Sequence, residues 1–196
     1  MVALAFAPVA LQAQQKCDAV AQKSGALSVD EKWWNFVCET ANPLTVAAGL
    51  FNGAVAHLTD TDPKYGTNAD AFGKRVAAST LDIATQNFAG DFLLASALHE
   101  DPRYFRKGPQ YGMWSRVGYA VSRGWRIRTD SGGSSFNWSN VLGAAASTGL
   151  SYTYYPPASR NGDAMAFEFV SDALGTGFAD IAIEFWPDVR QRLFHR

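Results

Sequence analysis

The chain has 196 residues, 47% of them apolar and 13% aromatic, with 18% charged and a formal net charge of −1. That apolar content excludes a disordered chain, because it offers enough side-chain area to offset the entropy of ordering the backbone. The length suits one domain rather than two, and the balanced charge excludes a globally basic nucleic-acid binder.

Residues 1–13 read as the remnant of a secretory signal: an apolar run ends in Ala10-Leu-Gln-Ala13, with small residues where a cut after Ala13 needs them. Residues 14–196 then form a single helical domain, exported to the periplasm or cell envelope. Cys17 and Cys38 are the two cysteines, and an even count in an exported chain predicts a disulfide, the alternative being two buried thiols.

Ser28 followed by Glu31 has the spacing of a capping box and starts a helix carrying Trp33, Trp34, Phe36 and Val37. Asn42-Pro43 restarts the chain into a second helix over about 44–57, where Gly49 and Gly53 stand four apart and allow close approach of another helix. After the loop Asp60–Gly66, with Thr67 or Asn68 as the cap, a long helix is predicted over about 69–100. Phe72, Val76, Ile83, Leu94 and Leu98 mark its apolar face, and Gly90 is a candidate kink. Its polar run Thr85-Gln86-Asn87 is unusual for a core helix.

From Pro102 to Thr129 there are six arginines, one lysine and no acid. Arg103, Arg106, Lys107, Arg116, Arg123, Arg126 and Arg128 alternate with aromatics that include Trp114 and Trp125, and a helix over about 113–126 fits the pattern. Arginine beside Trp and Tyr suits phosphate or carboxylate groups at an interface, so these nine residues are candidate contacts to anionic lipid, polysaccharide or an envelope protein. The competing account is internal neutralisation by the last helix, about 164–186, which carries Glu168, Asp172, Asp180 and Glu184 beside Phe167, Val170, Leu174 and Phe178. Pro187 is expected to interrupt that helix. Between the two, Trp138–Tyr155 has aromatics at both ends and the length of a membrane span, but its Ser, Thr, Asn and Gly content favours a buried central helix. No segment alternates with period two, so the expected fold is all-α: one bundle of five or six helices with Gly- and Ala-rich contacts.

Candidate chemistry centres on His99, Glu100, Asp101 and Arg103, since a histidine flanked by carboxylates suits a general base in a small hydrolase. The bland account is a helix exit, because Asp62-Pro-Lys-Tyr65 echoes Asp101-Pro-Arg-Tyr104. The scattered His57, His99 and His195 give no metal motif, and neither a nucleotide fingerprint nor a Gly-x-Ser-x-Gly elbow occurs, so no cofactor is expected.

Taken together, Ala41-Asn-Pro-Leu-Thr-Val46, His99-Glu-Asp-Pro-Arg-Tyr-Phe105, Arg128-Thr-Asp-Ser-Gly132, Tyr154-Tyr-Pro156 and Glu184-Phe-Trp-Pro-Asp188 resemble a family of exported bacterial proteins without an assigned activity. The resemblance implies an envelope or secreted setting and carries over no catalytic residue. The expected function is a structural or binding role at an anionic surface.

Overall fold

The computed structural model describes residues 3–194, with side chains over 11–193. Among the described residues there are seven helices rather than five or six: α1 (Ala3–Gln22), α2 (Val29–Thr40), α3 (Pro43–Leu58), α4, α5 (Met113–Arg123), α6 (Trp138–Ser151) and α7 (Gly162–Phe194). Helix α4 runs through Ala69–Asn87, passes a π-helical segment Phe88–Leu94 and finishes with Ala95–Ala97. The predicted starts are made by local hydrogen bonds. Ser28 and Glu31 close the capping box of α2, Asn42 accepts from the Leu44 N–H ahead of α3, and Asn68 accepts from the Ala71 N–H ahead of α4.

Three expectations change. Helix α7 continues through Pro187 to Phe194 instead of stopping there. The long helix ends at Ala97, and His99 adopts a left-handed φ of 56° that turns the chain into β1 (Glu100–Asp101). Finally, β1 pairs antiparallel with β2 (Arg126–Thr129), which pairs with β3 (Ser134–Phe136). These strands of two to four residues are too short to show a period in the sequence.

The echo at Asp62 has a structural basis. Asp60 also has a left-handed φ, 44°, and both it and His99 stand three residues before the proline, so the two copies leave the helix through the same left-handed residue and diverge at the proline, where Asp62–Pro63 is cis. Cys17 of α1 is bonded to Cys38 of α2, which fits an oxidising compartment. Helix α1 runs without a break across the expected cut after Ala13.

Close helix contacts depend on glycine at three points. A Cβ on Gly53 of α3 would sit 2.7 Å from the backbone of Val76 in α4, one on Gly49 would sit 2.8 Å from the Thr80 hydroxyl, and one on Gly143 of α6 would sit 2.8 Å from Cα of Gly90. Gly90 therefore marks the crossing of α4 and α6 within the π-helical segment.

Packing is inverted relative to a water-soluble bundle. Among the described residues, the bulkiest fully buried side chains are Arg75, Lys32 and Glu184, while the buried apolar set is mostly alanine. Helix α4 turns Ala71, Arg75, Ala78 and Asp82 inward and Phe72, Leu81 and Phe88 outward. Helix α6 buries Ser139, Asn140, Ser147 and Ser151 and exposes Trp138, Leu142 and Leu150. Phe51 of α3 is 67% exposed and Phe178 of α7 is 66% exposed.

Candidate functional site

The basic segment is divided by the fold into an internal and an external half. Arg116, on the inner face of α5, donates through Nε to Glu184 Oε1 at 2.7 Å and through Nη2 to Asp188 Oδ2 at 2.6 Å. Arg106 bonds the Glu184 carbonyl and Asp188 Oδ1. Arg103 makes a fork to Asp101, 2.9 and 2.6 Å, and donates to the carbonyls of Val20, Lys23 and Gly25, pinning the end of α1. Arg123 bonds the Arg103 carbonyl. These four arginines are committed to the protein itself. The acidic last helix does neutralise part of the segment, through Glu184 and Asp188.

What faces solvent, beside the part-exposed Arg106, is smaller. Arg126 and Arg128 are exposed on β2, with Arg126 bonded to Ser134 Oγ and Arg128 stacked 5.0 Å from the Phe105 ring. Lys107 is half-buried beside Ser115 and the Tyr111 ring. Trp114 is 78% exposed and Trp125 43%. On α5, Trp114, Gly118 and Val121 lie on one outward face that leads to Trp125, opposite buried Arg116 and Ala120.

The catalytic candidates do not converge. The His99 side chain is 84% exposed, and its Nδ1 stands 3.9 Å from Asp130 Oδ2, an oxygen already bonded to Lys32 Nζ at 2.7 Å. Glu100 is buried and accepts from the Ser135 hydroxyl of β3 and from the Ser139 N–H at the start of α6, where a helix N-terminus favours an anion. Asp101 is held by Arg103. Asp101 and Arg103 thus neutralise each other, Glu100 turns to α6, and His99 faces solvent.

The sequence carries the acids of α7 without fixing their direction. Glu168, Asp172, Asp180 and Glu184 follow the four-residue grid that one helix face requires, and all point inward. Glu184, 0% exposed, accepts from Arg116, the N–H groups of Gly108 and Lys107, and the Tyr104 hydroxyl. Burial alone would raise its pKa; these four donors together bring it down to about 2. At the other end, among the described residues, no cation faces Glu168, Asp172 or Asp82. Both Glu168 carboxylate oxygens are shut off from solvent without a hydrogen-bond partner. Burial, with like charges nearby, pushes Glu168 up to about 8 and Asp172 to about 7. Burial takes Asp82 to about 6 even though the hydroxyls of Tyr154 and Tyr155 donate to it. A second group behaves alike: burial raises Asp91 to about 7 and Asp180 to about 8, and holds Glu39 well above the usual carboxylate range.

Asn140 ties these layers together. It donates to the Gly124 and Ala173 carbonyls and accepts from Gln86 and Thr176, which gives Gln86 of the polar run in α4 its partner, while Asn87 of that run donates to the Thr40 hydroxyl of α2. Among the described residues, no group of three or more His, Cys, Asp and Glu is arranged to hold a metal ion, and no helix is long and apolar enough to cross a membrane. No protein family, curated protein or solved structure matches the chain.

Proposed function

We propose that this protein is an exported envelope component that binds a membrane surface, seating its apolar shell among lipid chains and meeting anionic headgroups with Arg126, Arg128 and the neighbouring aromatics. The observation that carries this reading is the inverted partition: ionisable groups fill the interior while Phe, Leu, Val and Trp side chains cover the outside of the helices. In water such a shell costs free energy at every exposed side chain, and in lipid the cost disappears. A protein partner is a weaker explanation. A standard interface covers roughly 800 Å² on one side of a molecule, whereas exposed apolar residues occur on α3, α4, α5, α6 and α7 alike.

Helix length and polarity together favour seating over spanning. At 16 and 14 residues, α3 and α6 are about 24 and 21 Å long at the standard rise, short of the roughly 30 Å hydrocarbon core, and the longer α4 and α7 are not apolar enough to cross it. Buried acids held protonated suit this setting, because a neutral carboxyl is tolerated where an anion is not. The Cys17–Cys38 disulfide supports an envelope compartment. Nothing comparable supports a hydrolase at His99.

Fractionation of producing cells tests the proposal. The protein is expected to stay with membranes after washes in high salt and in alkaline carbonate, and its tryptophan fluorescence is expected to be quenched by lipids brominated on the acyl chains. Release by carbonate as a monodisperse monomer, with no quenching, would overturn it.

A further inference from the structure

Between α5, α6 and α7 the shell is interrupted by a groove. Its larger part, about 290 Å³, is bounded by Trp125, Val141, Phe169, Val170, Ala173 and Leu174. A second pocket of about 100 Å³ shares Trp125, Ala173 and Leu174 with it and extends along α7 to Phe178. The depression has a physical cause. The end of α5 lies directly on the backbone of α7, where a Cβ on Gly177 would stand 3.1 Å from the Val121 carbonyl oxygen and one on Gly124 3.6 Å from the Ala173 carbonyl oxygen. Small residues make the floor, and bulky Trp125, Leu174 and Phe178 raise the walls. No charged side chain lines either part, and the combined size lies near the lower end for ligand sites, roughly 300–1,000 Å³.

The groove leads to the exposed cations. Arg126 and Phe136 are paired directly across the β2–β3 ladder and so lie on the same face of the hairpin. The Phe136 ring is 6.3 Å from the Trp125 ring that walls the groove and 4.8 Å from the ring of Trp138. Arg128 follows on that same face. One continuous track therefore runs from an uncharged trough, past an aromatic cluster, to two solvent-facing guanidinium groups.

We infer that this track binds one anionic phospholipid, with an acyl chain in the groove along α7 and its phosphate against Arg126 and Arg128. The charge at one end of the track selects this occupant. A planar guanidinium pairs with phosphate through two parallel hydrogen bonds, the aromatic cluster suits the headgroup boundary, and the trough offers an acyl chain no polar partner to lose. The inference rests on the membrane reading above but is narrower: bulk lipid covers the shell, whereas this lipid is chosen by its head and retained.

The test uses the full chain extracted in mild detergent from membranes containing equal phosphatidylglycerol and phosphatidylcholine, followed by delipidation and native mass spectrometry. One phosphatidylglycerol is expected to remain bound per chain. Leu174→Trp fills the groove from its wall while keeping the shell apolar, and is expected to reduce retention about tenfold or more with membrane partition unchanged; Arg126→Gln is expected to abolish the preference for phosphatidylglycerol by a similar factor, as loss of one charge-assisted pair implies. Should Leu174→Trp fail to fold, Val170→Trp fills the same trough. Equal retention of both lipids, unchanged retention in the filled variant, or a dimer that Leu174→Trp dissociates would overturn the lipid site while leaving the membrane reading in place. Wild-type protein that never enters the membrane fraction would overturn both.

Discussion

The two ends of α7 bury the same functional group in opposite states. At Glu184, one arginine, two backbone N–H groups and a tyrosine converge on a single carboxylate and hold it ionised at full burial. About four and three turns earlier, Glu168 and Asp172 have no cation beside them among the described residues, and burial, with the Asp82 charge nearby, raises them to about 8 and 7. The difference shows that charge state inside this bundle is decided by donor count, and that α5 and the 104–108 segment exist at the Glu184 end to supply those donors.

The largest expected effect comes from removing the ionised end. Glu184→Ala leaves buried Arg116, two N–H groups and Tyr104 without their acceptor, and should cost about 3–5 kcal/mol in urea unfolding, as breaking a buried pair from one side does. A loss below about 1 kcal/mol would show that the donors find other partners.

The pH profile separates the ends next. Glu168, Asp172 and Asp180 have folded pKa values of about 8, 7 and 8, above their unfolded values, so the folded chain binds more protons than the unfolded one between about pH 4 and 8. Stability should therefore fall as pH rises through that window. Glu184 and Glu31, where the Lys23 bond leads the shift, lie near 2, below their unfolded values, so their contribution is lost as pH falls from about 4.5 toward 2. Thermal melts across pH 3–9 should peak near pH 5; a monotonic rise to pH 8 would remove the protonated assignment.

A smaller effect follows at the neutral end. Glu168→Gln imitates the protonated acid and should raise stability at pH 8 by roughly 1 kcal/mol while flattening the profile above pH 6. Destabilisation at pH 8 would mean that the carboxylate is ionised and paired. The smallest effect is expected from Arg106→Gln, whose contact to Asp188 is part-exposed on both sides and should contribute about 1 kcal/mol or less, measured by the same unfolding assay.

Much of the fold was legible because it is written locally. Ser28 with Glu31, Asn42 with Pro43, and Asn68 each satisfy orphan N–H groups within three residues, and Gly49 and Gly53 marked a close helix contact by spacing, with the fold supplying α4 as the partner. The disulfide followed from cysteine count. The sheet was not legible, since β1 has only two residues and its pairing depends on a turn about thirty residues downstream. Nor was the use of the arginines. Arg103 and Arg128 are the same residue type in one acid-free run and both lie over the Phe105 ring, yet one anchors α1 from inside and the other faces solvent, because the carbonyls that distinguish them come from residues 20–25, far away in the chain.

The sequence by itself determined where the helices begin, how closely they approach and that α7 has two unlike stripes, one acidic and one apolar, because each of these is a matter of spacing along the chain. Which stripe turns inward was left to the tertiary structure. A periodic pattern defines two faces without ordering them, and the choice of the acidic one was made by Arg116, Tyr104 and the backbone at 107–108 meeting Glu184, with small residues at the crossings leaving no room for large apolar side chains.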